Sequence, residues 1–283
     1  YDYRLSPKMQ RWKQEYLGSK EGFEHVRSIL ATKLRLLGKT QQEIDQLSDE
    51  EISRQSDSFF GGGHELIVAR RHYRPDAGND SELCSSGELT PDEHYAYLKF
   101  TIDALRDVYA NNRYVRHISV FQNWLASAGA SFDHLHKQLV ALDDWGASVV
   151  NEIELVRKNP NIYNELAVNL AAYLNFVFAE NEHAIAFADI GHQYPTLAIY
   201  SKSEQGRPGE LTEEELRDFS DLLHACYSAM GSQISCNEEW YYTPIDSVVK
   251  MPWHILIKWR INITAGFEGG TKIYINATAP EDL

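Results

Sequence analysis

The sequence predicts an α+β fold in which one α+β unit occurs twice behind an N-terminal helical arm. Three observations carry this. The first fifty-six residues have helical spacing, whereas from Phe59 onward glycine turns alternate with short apolar runs of strand character. The spelling Glu88-Leu-Thr-Pro-Asp-Glu returns about 120 residues later as Glu210-Leu-Thr-Glu-Glu-Glu, and self-similarity at a fixed offset marks an internal repeat. A histidine-bearing strand pattern follows each copy, with His136 and His254 at equivalent positions.

Residues 1–56 form the arm. Phe23, Val26, Ile29, Leu30, Leu34 and Leu37 fall on one helical stripe, Gly38 suits a C-cap, and a second short helix is expected from Thr40 through Ile52. Residues 57–146 form the first unit. There the turn Gly61-Gly62-Gly63 feeds a strand through Ala69, and Thr90, Pro91 and Glu93 are the N-cap, N1 and N3 of a helix reaching about Asn111. Strands are expected at His117–Asn123 and Leu135–Leu142. Residues 147–182, rich in Asn, Glu, Leu and Ala, read as a helical connector. Residues 183–283 form the second unit: a strand at Pro195–Lys202, a helix capped by Thr212 and running to about Met230, and strands at Trp240–Pro244 and Trp253–Trp259.

A formal net charge of -14 argues against broad nucleic-acid binding, which relies on a basic surface to neutralise phosphates. Any anionic ligand then requires a local site. No long apolar run suggests a membrane span, and the first thirty residues carry Lys8, Arg11, Lys13 and Lys20 where a signal peptide would have an apolar core. A cytoplasmic protein is the default expectation. Cys84, Cys226 and Cys236 are odd in number, far apart and in no CxxC pair, so reduced thiols are expected rather than a disulfide framework.

The chemistry concentrates in Gly129-Ala-Ser131-Phe-Asp-His134-Leu-His136-Lys-Gln138. On a strand, His134, His136 and Gln138 share one face while Leu135 and Lys137 point the other way. The small-residue turn Ala128-Gly129-Ala130-Ser131 lets backbone N–H groups and a hydroxyl approach phosphate oxygens. A chain with 11 histidines produces some HxH pairs by chance, so the surroundings decide. Gly61-Gly62-Gly63 lacks the Lys-Thr or Lys-Ser of a phosphate loop and reads as a turn. Glu268, in Gly266-Phe-Glu-Gly-Gly270, sits in what reads as a glycine-rich turn open to a ligand.

Asn123, Gly129, Ser131, His134, His136 and Gln138 resemble the N-x5-G-x-S-x2-H-x-H-x-Q signature of the galactose-1-phosphate uridylyltransferase branch of the histidine-triad (HIT) superfamily. Trp253-His254 through Arg260, Ala265-Gly-Phe-Glu268 through Asn276, and Pro280-Glu281 are similar to the C-terminal pattern of relatives that include ADP-glucose phosphorylase. Gly63-His-Glu-Leu-Ile-Val with His72 resembles the first strand of that fold, and the likeness runs from about residue 57 to the end.

The resemblance implies duplicated HIT-like units built of antiparallel sheets with packed helices, commonly paired as a homodimer. It implies nucleotidyl transfer from a nucleotide sugar, or a dinucleoside polyphosphate, to phosphate or a sugar 1-phosphate. His136 would be the nucleophile, with Gln138 on a non-bridging oxygen, Ser131, Gly129 and Ala130 around the phosphates, Asn123 orienting the loop, and His134 beside the reactive ring. Gly266, Phe267, Glu268 and Lys272 would meet the sugar or acceptor. His72 and His134 match two ligands of a zinc site, whose CxxC partner is missing here.

Other departures fall on the acceptor side. Pro252 replaces a histidine of a second metal site, which leaves Glu152, its carboxylate counterpart, as a helix surface residue. Lys272 replaces a glycine, Lys258 and Trp259 alter the segment before Arg260, and such a lysine could serve an additional phosphate. Hydrolysis by the same intermediate, or nucleotide binding without turnover, are the alternatives these departures leave.

Overall fold

The computed structural model describes residues 5, 7–60, 63–79, 81–112, 115–261, 265–276 and 278–283. Gly61 and Gly62 of the predicted turn lie outside them. The chain divides into two compact units, residues 1–64 with 107–113, and residues 65–106 with 114–283.

The first unit carries five helices among its described residues: α1 (Pro7–Gly18), α2 (Lys20–Leu36), α3 (Gln41–Asp45), α4 (Asp49–Gln55) and α5 (Asp57–Phe60). Val26 and Leu30 of α2, Ile44, Ile52 and Phe60 are its buried apolar residues. Gly38 ends α2 with φ +86°, the left-handed conformation that favours glycine. The single helix expected from Thr40 to Ile52 is two. Ser48 and Glu51 form a reciprocal capping box that starts a new helix there. Lys13 Nζ ties α1 to the carbonyl of Ser53 at 2.5 Å and to Asp57 at 2.6 Å. Helical character thus runs four residues beyond the predicted end of the arm, through Phe60.

The larger unit is built on one eight-stranded sheet. Its elements are β1 (His64–Val68), α6 (Pro91–Asn111), β2 (His117–Trp124), β3 (His136–Leu142), α7 (Ala147–Lys158), α8 (Asn169–Tyr173), β4 (Val177–Glu180), β5 (Ala184–Asp189), β6 (Thr196–Ser201), α9 (Glu213–Met230), β7 (Cys236–Tyr241), β8 (His254–Trp259) and α10 (Gly266–Thr271). The sheet order is β1-β3-β2-β7-β8-β6-β5-β4, antiparallel from β3 to β4. Both sequence repeats therefore share a single sheet, joined where β2 pairs with β7 and Asn123 lies opposite Asn237.

The two faces of this sheet differ. Ile118, Val120, Gln122 and Trp124 of β2 and Cys236, Glu238 and Trp240 of β7 are buried, while Ser119, Phe121, Asn123, Asn237, Glu239 and Tyr241 alternate with them half-buried. This period of two puts one face in the core and leaves the other partly open. Tyr97 of α6 and Phe219, Leu223 and Tyr227 of α9 are buried on the core side with Trp253, whose ring stacks on Phe219 at 3.9 Å. Gly87 is needed there, because a Cβ would come within 2.5 Å of the Tyr227 backbone.

Two predicted segments are corrected. The connector 147–182 is helical only as far as Tyr173, and its end is β4. Glycine-rich Gly266–Thr271 is the short helix α10, closed by Glu268 accepting from the Ala265 N–H at 3.0 Å, rather than an open turn.

Candidate functional site

His136 opens β3, and its partners in the sheet follow from register. Gln138 lies opposite Phe121, so His136, two residues earlier, shares a face with Phe121 and Asn123, and through β2 with Asn237 and Glu239. Lys137 points to the opposite face as expected, and there it is a fully buried cation.

The His136 ring is 1% exposed, with its Nδ1 2.8 Å from the His134 carbonyl. A carbonyl only accepts, so Nδ1 carries the proton and Nε2 holds the lone pair. The Phe132 ring lies parallel over the imidazole, centroid to centroid 3.8 Å at 19°. His134 contributes through its backbone to this contact, and its own Nε2 donates to the Ala69 carbonyl at 2.7 Å. Gln138 is half-buried two residues further along the same face.

The loop from Leu125 to Ser131 is shaped by Gly129, which takes φ +86° after the short turn Ala126–Ala128. No atom blocks a Cβ there, so the backbone angle and not space is what selects glycine. Asn123 Nδ2 donates to the Gly129 carbonyl at 3.4 Å, a long bond. Asn237, which sequence reasoning missed, is the stronger brace. Its Nδ2 reaches Asn123 Oδ1 at 2.7 Å and the Ala128 carbonyl at 2.8 Å. Arg260 Nη1 in turn donates to Asn237 Oδ1 at 2.7 Å, and the guanidinium lies 4.6 Å from the Tyr194 ring centroid. Ala130 is half-buried and Ser131 exposed, so the loop presents its hydroxyl outward. Together these residues place a fixed cation, two amides and a glycine loop beside a tautomerically defined imidazole, which is the equipment for holding and attacking a phosphate ester.

Behind His136, the Lys137 ammonium pairs with Glu238 in the core, both side chains fully buried. Burial drives the ammonium below its usual pKa, and the carboxylate opposes that shift. Glu238 also accepts from Tyr227 Oη at 2.6 Å and Trp240 Nε1 at 2.5 Å, and Lys137 donates to Gln122 at 3.2 Å. The cluster ties β3, β2, β7 and α9 beneath the site.

The zinc ligands implied by resemblance do not make a zinc site. The His72 and His134 rings lie 4.3 Å apart at 33°, and the buried His72 Nδ1 has no partner among the described residues. The His134 Nε2 is spent on a carbonyl. Cys84, whose N–H bonds the His72 carbonyl at 2.9 Å, is a thiol that burial pushes up to about 11, a poor thiolate donor. Among the described residues no three His, Cys, Asp or Glu side chains come together as a metal would require.

The second half keeps the imidazole geometry without the loop. His254 Nδ1 donates to the Pro252 carbonyl at 2.9 Å, the counterpart of the His136 contact. Its ring is clamped between Tyr200 and Tyr241, at 4.3 and 5.1 Å and 7° to each, and burial pushes its pKa down to about 4. Glu152 is not a surface residue of α7. It is half-buried, its pKa is raised by burial, and it accepts from Tyr163 Oη at 2.5 Å. Pro252 removes one imidazole, and the stacked tyrosines fill the space around the other.

The predicted sugar residues fall on α10 and at its C-terminal end. Gly266 and Phe267 are exposed, Glu268 caps its own helix, and Lys272 lines a cavity with Asp189, His192 and Tyr274. Lys258 is no spare phosphate ligand, since Glu239 holds its Nζ at 2.6 Å.

A family described as Domain of unknown function (DUF4921) matches residues 1–283. An ADP-glucose phosphorylase of Arabidopsis thaliana is 26% identical over 178 residues, 60% of this chain, and the chain spans about half, 50%, of that relative's length. An Arabidopsis thaliana ADP-glucose phosphorylase with bound ADP-glucose superposes with a TM-score of 0.65 at 22% identity, over 77% of this chain and 70% of the other. A GalT-like protein from the same plant gives 0.63 at 21% identity, over 78% and 81%. A uridylyltransferase mutant gives 0.61 at 16%, over 77% and 85%.

Proposed function

This chain belongs to the DUF4921 family and has a GalT-like histidine-triad fold, and we propose that it is a nucleotidyltransferase or phosphorylase working through a nucleotidyl-His136 intermediate. The nucleoside monophosphate comes from a nucleotide sugar and passes to phosphate or a sugar 1-phosphate. One observation carries the reading: the Nδ1–H of His136, held 2.8 Å from the His134 carbonyl, leaves Nε2 as the nucleophile at the end of a glycine loop.

The Nε2 lone pair forms a bond to the α-phosphorus as the bond to the bridging oxygen breaks, and the sugar 1-phosphate departs with that oxygen. The substituted ring is cationic, and the His134 carbonyl then accepts from a more acidic Nδ1–H, a contact that strengthens as charge develops. In the second step a phosphate oxygen attacks and the P–N bond breaks, returning the neutral ring. Asn123, braced by Asn237 and Arg260, keeps the loop in place without reorganisation. The same reading places the enzyme in the cytoplasm, consistent with three free, buried cysteines, and pairs it as a homodimer, to be weighed by sedimentation.

Intact mass after incubation with ADP-glucose or UDP-glucose should show the gain of one nucleoside monophosphate. The same gain in His136→Asn would refute the assignment.

A further inference from the structure

β3, β2 and β7 are neighbours in the sheet, and their registers line up two successive rungs of side chains. Gln138 lies opposite Phe121, so one step along β3 pairs Lys137 with Gln122, and Gln122 lies opposite Glu238. The next step pairs His136 with Asn123, and Asn123 lies opposite Asn237. Side chains alternate between faces, so Lys137, Gln122 and Glu238 cross the core face while His136, Asn123 and Asn237 cross the other. The rung that carries the reactive ring thus lies one residue from a wholly buried polar rung.

The buried rung is closed by its own hydrogen bonds. Gln122 Oε1 accepts from the Lys137 ammonium at 3.2 Å, and its Nε2 donates to Ser86 Oγ at 3.0 Å, which fixes the orientation of the amide. Glu238 accepts from Lys137, from Trp240 Nε1 at 2.5 Å and from Tyr227 Oη at 2.6 Å. The ammonium also lies 5.1 Å from the Tyr97 ring centroid. A buried ion pair commonly adds no net stability over apolar residues of similar volume, and its best-attested use is to single out one arrangement among several.

Such an ambiguity exists here. A slip of β3 against β2 by one residue would turn buried Leu139 to the open face, and the apolar pattern excludes it. A slip by two residues keeps every side chain on its own face, so the apolar pattern does not exclude it. In one direction it would set Phe121 opposite His136 and buried Val120 opposite Lys137. That slip would leave an ammonium and a carboxylate unpaired in the core, and would take Asn123 away from the reactive ring.

We infer that Lys137, Gln122 and Glu238 are positioning residues, whose rung locks β3 in register and so holds His136 beside Asn123 and Asn237. They face away from the reactive ring and act through the backbone of β3. Their role in the reaction rests on the nucleotidyl-transfer reading, whereas the register lock stands on the sheet alone.

The test replaces the charged rung with an apolar one in the full chain, Lys137→Met with Glu238→Leu, which removes the lock without leaving an unpaired charge. Nitrogen-15 spectra of the histidine side chains should show a single His136 tautomer in the wild type, protonated on Nδ1, and a mixture in the variant. Amides of β3 should exchange about tenfold faster in the variant relative to those of β5. Adduct formation from ADP-glucose at saturating donor should slow about tenfold to a hundredfold, as a small misplacement of a reacting group does, with the half-saturating concentration changed by less than about twofold. A folded double variant with one tautomer, a protected β3 and the wild-type rate overturns the inference. Where the double variant does not fold, Gln122→Leu is measured instead; it keeps the ion pair and cuts its tie to β2. The same three shifts are then expected at smaller size, and their absence overturns the inference. Wild type that forms no adduct removes the transfer reading, and the spectra and exchange then decide the register lock by themselves.

Discussion

Lowering the pH should destabilise this protein through histidines that it buries neutral, of which His94, His117 and His254 are three. His117 is 4% and His254 3% exposed, and burial pushes each pKa from the ordinary 6.5 down to about 4. The folded value is the depressed one, so below pH 6.5 the unfolded chain binds protons that the folded chain refuses, and stability falls as pH falls. The penalty per histidine reaches about 2 kcal/mol at pH 5 and about 3 kcal/mol once the pH passes below 4. Glu152, raised by burial, works in the opposite direction, so the histidine contribution is read by difference. Asp189 supports charge on His254 while His192 and Lys258 oppose it, and neither sign reverses the burial effect. Urea unfolding of wild type and His254→Phe at pH 7.5, 6.5, 5.5 and 5.0 is the assay. The phenyl ring keeps the stack between Tyr200 and Tyr241 and loses only the bond to Pro252, a cost that does not vary with pH. The gap between the two proteins should narrow, or turn in favour of the variant, by about 2 kcal/mol from pH 7.5 to 5. Parallel curves would refute the claim that His254 is buried uncharged, and His117→Phe is the corresponding test for the other ring.

Three further outcomes are expected. Lys137→Met strands the Glu238 carboxylate in the core and should cost about 3–5 kcal/mol, while Lys137→Met with Glu238→Leu should recover most of it; a double-variant loss equal to the sum of the two single losses would show the pair to be uncoupled. Gly129→Ala forces a side chain to φ +86°, costing about 1–2 kcal/mol of loop strain, and should lower the rate of adduct formation more than it lowers the melting temperature. Asn237→Ala removes the brace on Asn123 and Ala128 and should reduce kcat/KM about tenfold, about 1.4 kcal/mol, chiefly through kcat. An unchanged kcat would make the brace dispensable.

Local signals in the chain were legible and distant ones were not. Thr212 with Glu215, Thr90 with Glu93 and the apolar run into β8 announced their elements, since caps and periodicity are written in adjacent residues. The repeat aligned His254 with His136, but the Nδ1–H contact to the carbonyl two residues back that they share came only from the structure. Strand β5, Ala184–Asp189, passed unread because it is buried along nearly its whole length and so lacks polar alternation. Glu238 looked like one acid among many, for its partner Lys137 is 101 residues away. Asn237 had no local mark either, although the alternation from Cys236 to Tyr241 was there to find. Glycine-rich α10 contradicts helix propensity and is held by Glu268 and by Thr271 Oγ1 bonding the Phe267 carbonyl at 2.6 Å.

The central claim is that His136 takes the nucleotidyl group on Nε2 while Nδ1 stays on the His134 carbonyl. Peptide mapping by mass spectrometry after incubation with ADP-glucose and acid-free digestion tests it most directly. An adenylyl group on the peptide containing His136, absent in His136→Asn and discharged by added phosphate, is the predicted result. An unmodified His136 in a protein that turns over the nucleotide sugar, or a label on His134 instead, would contradict it.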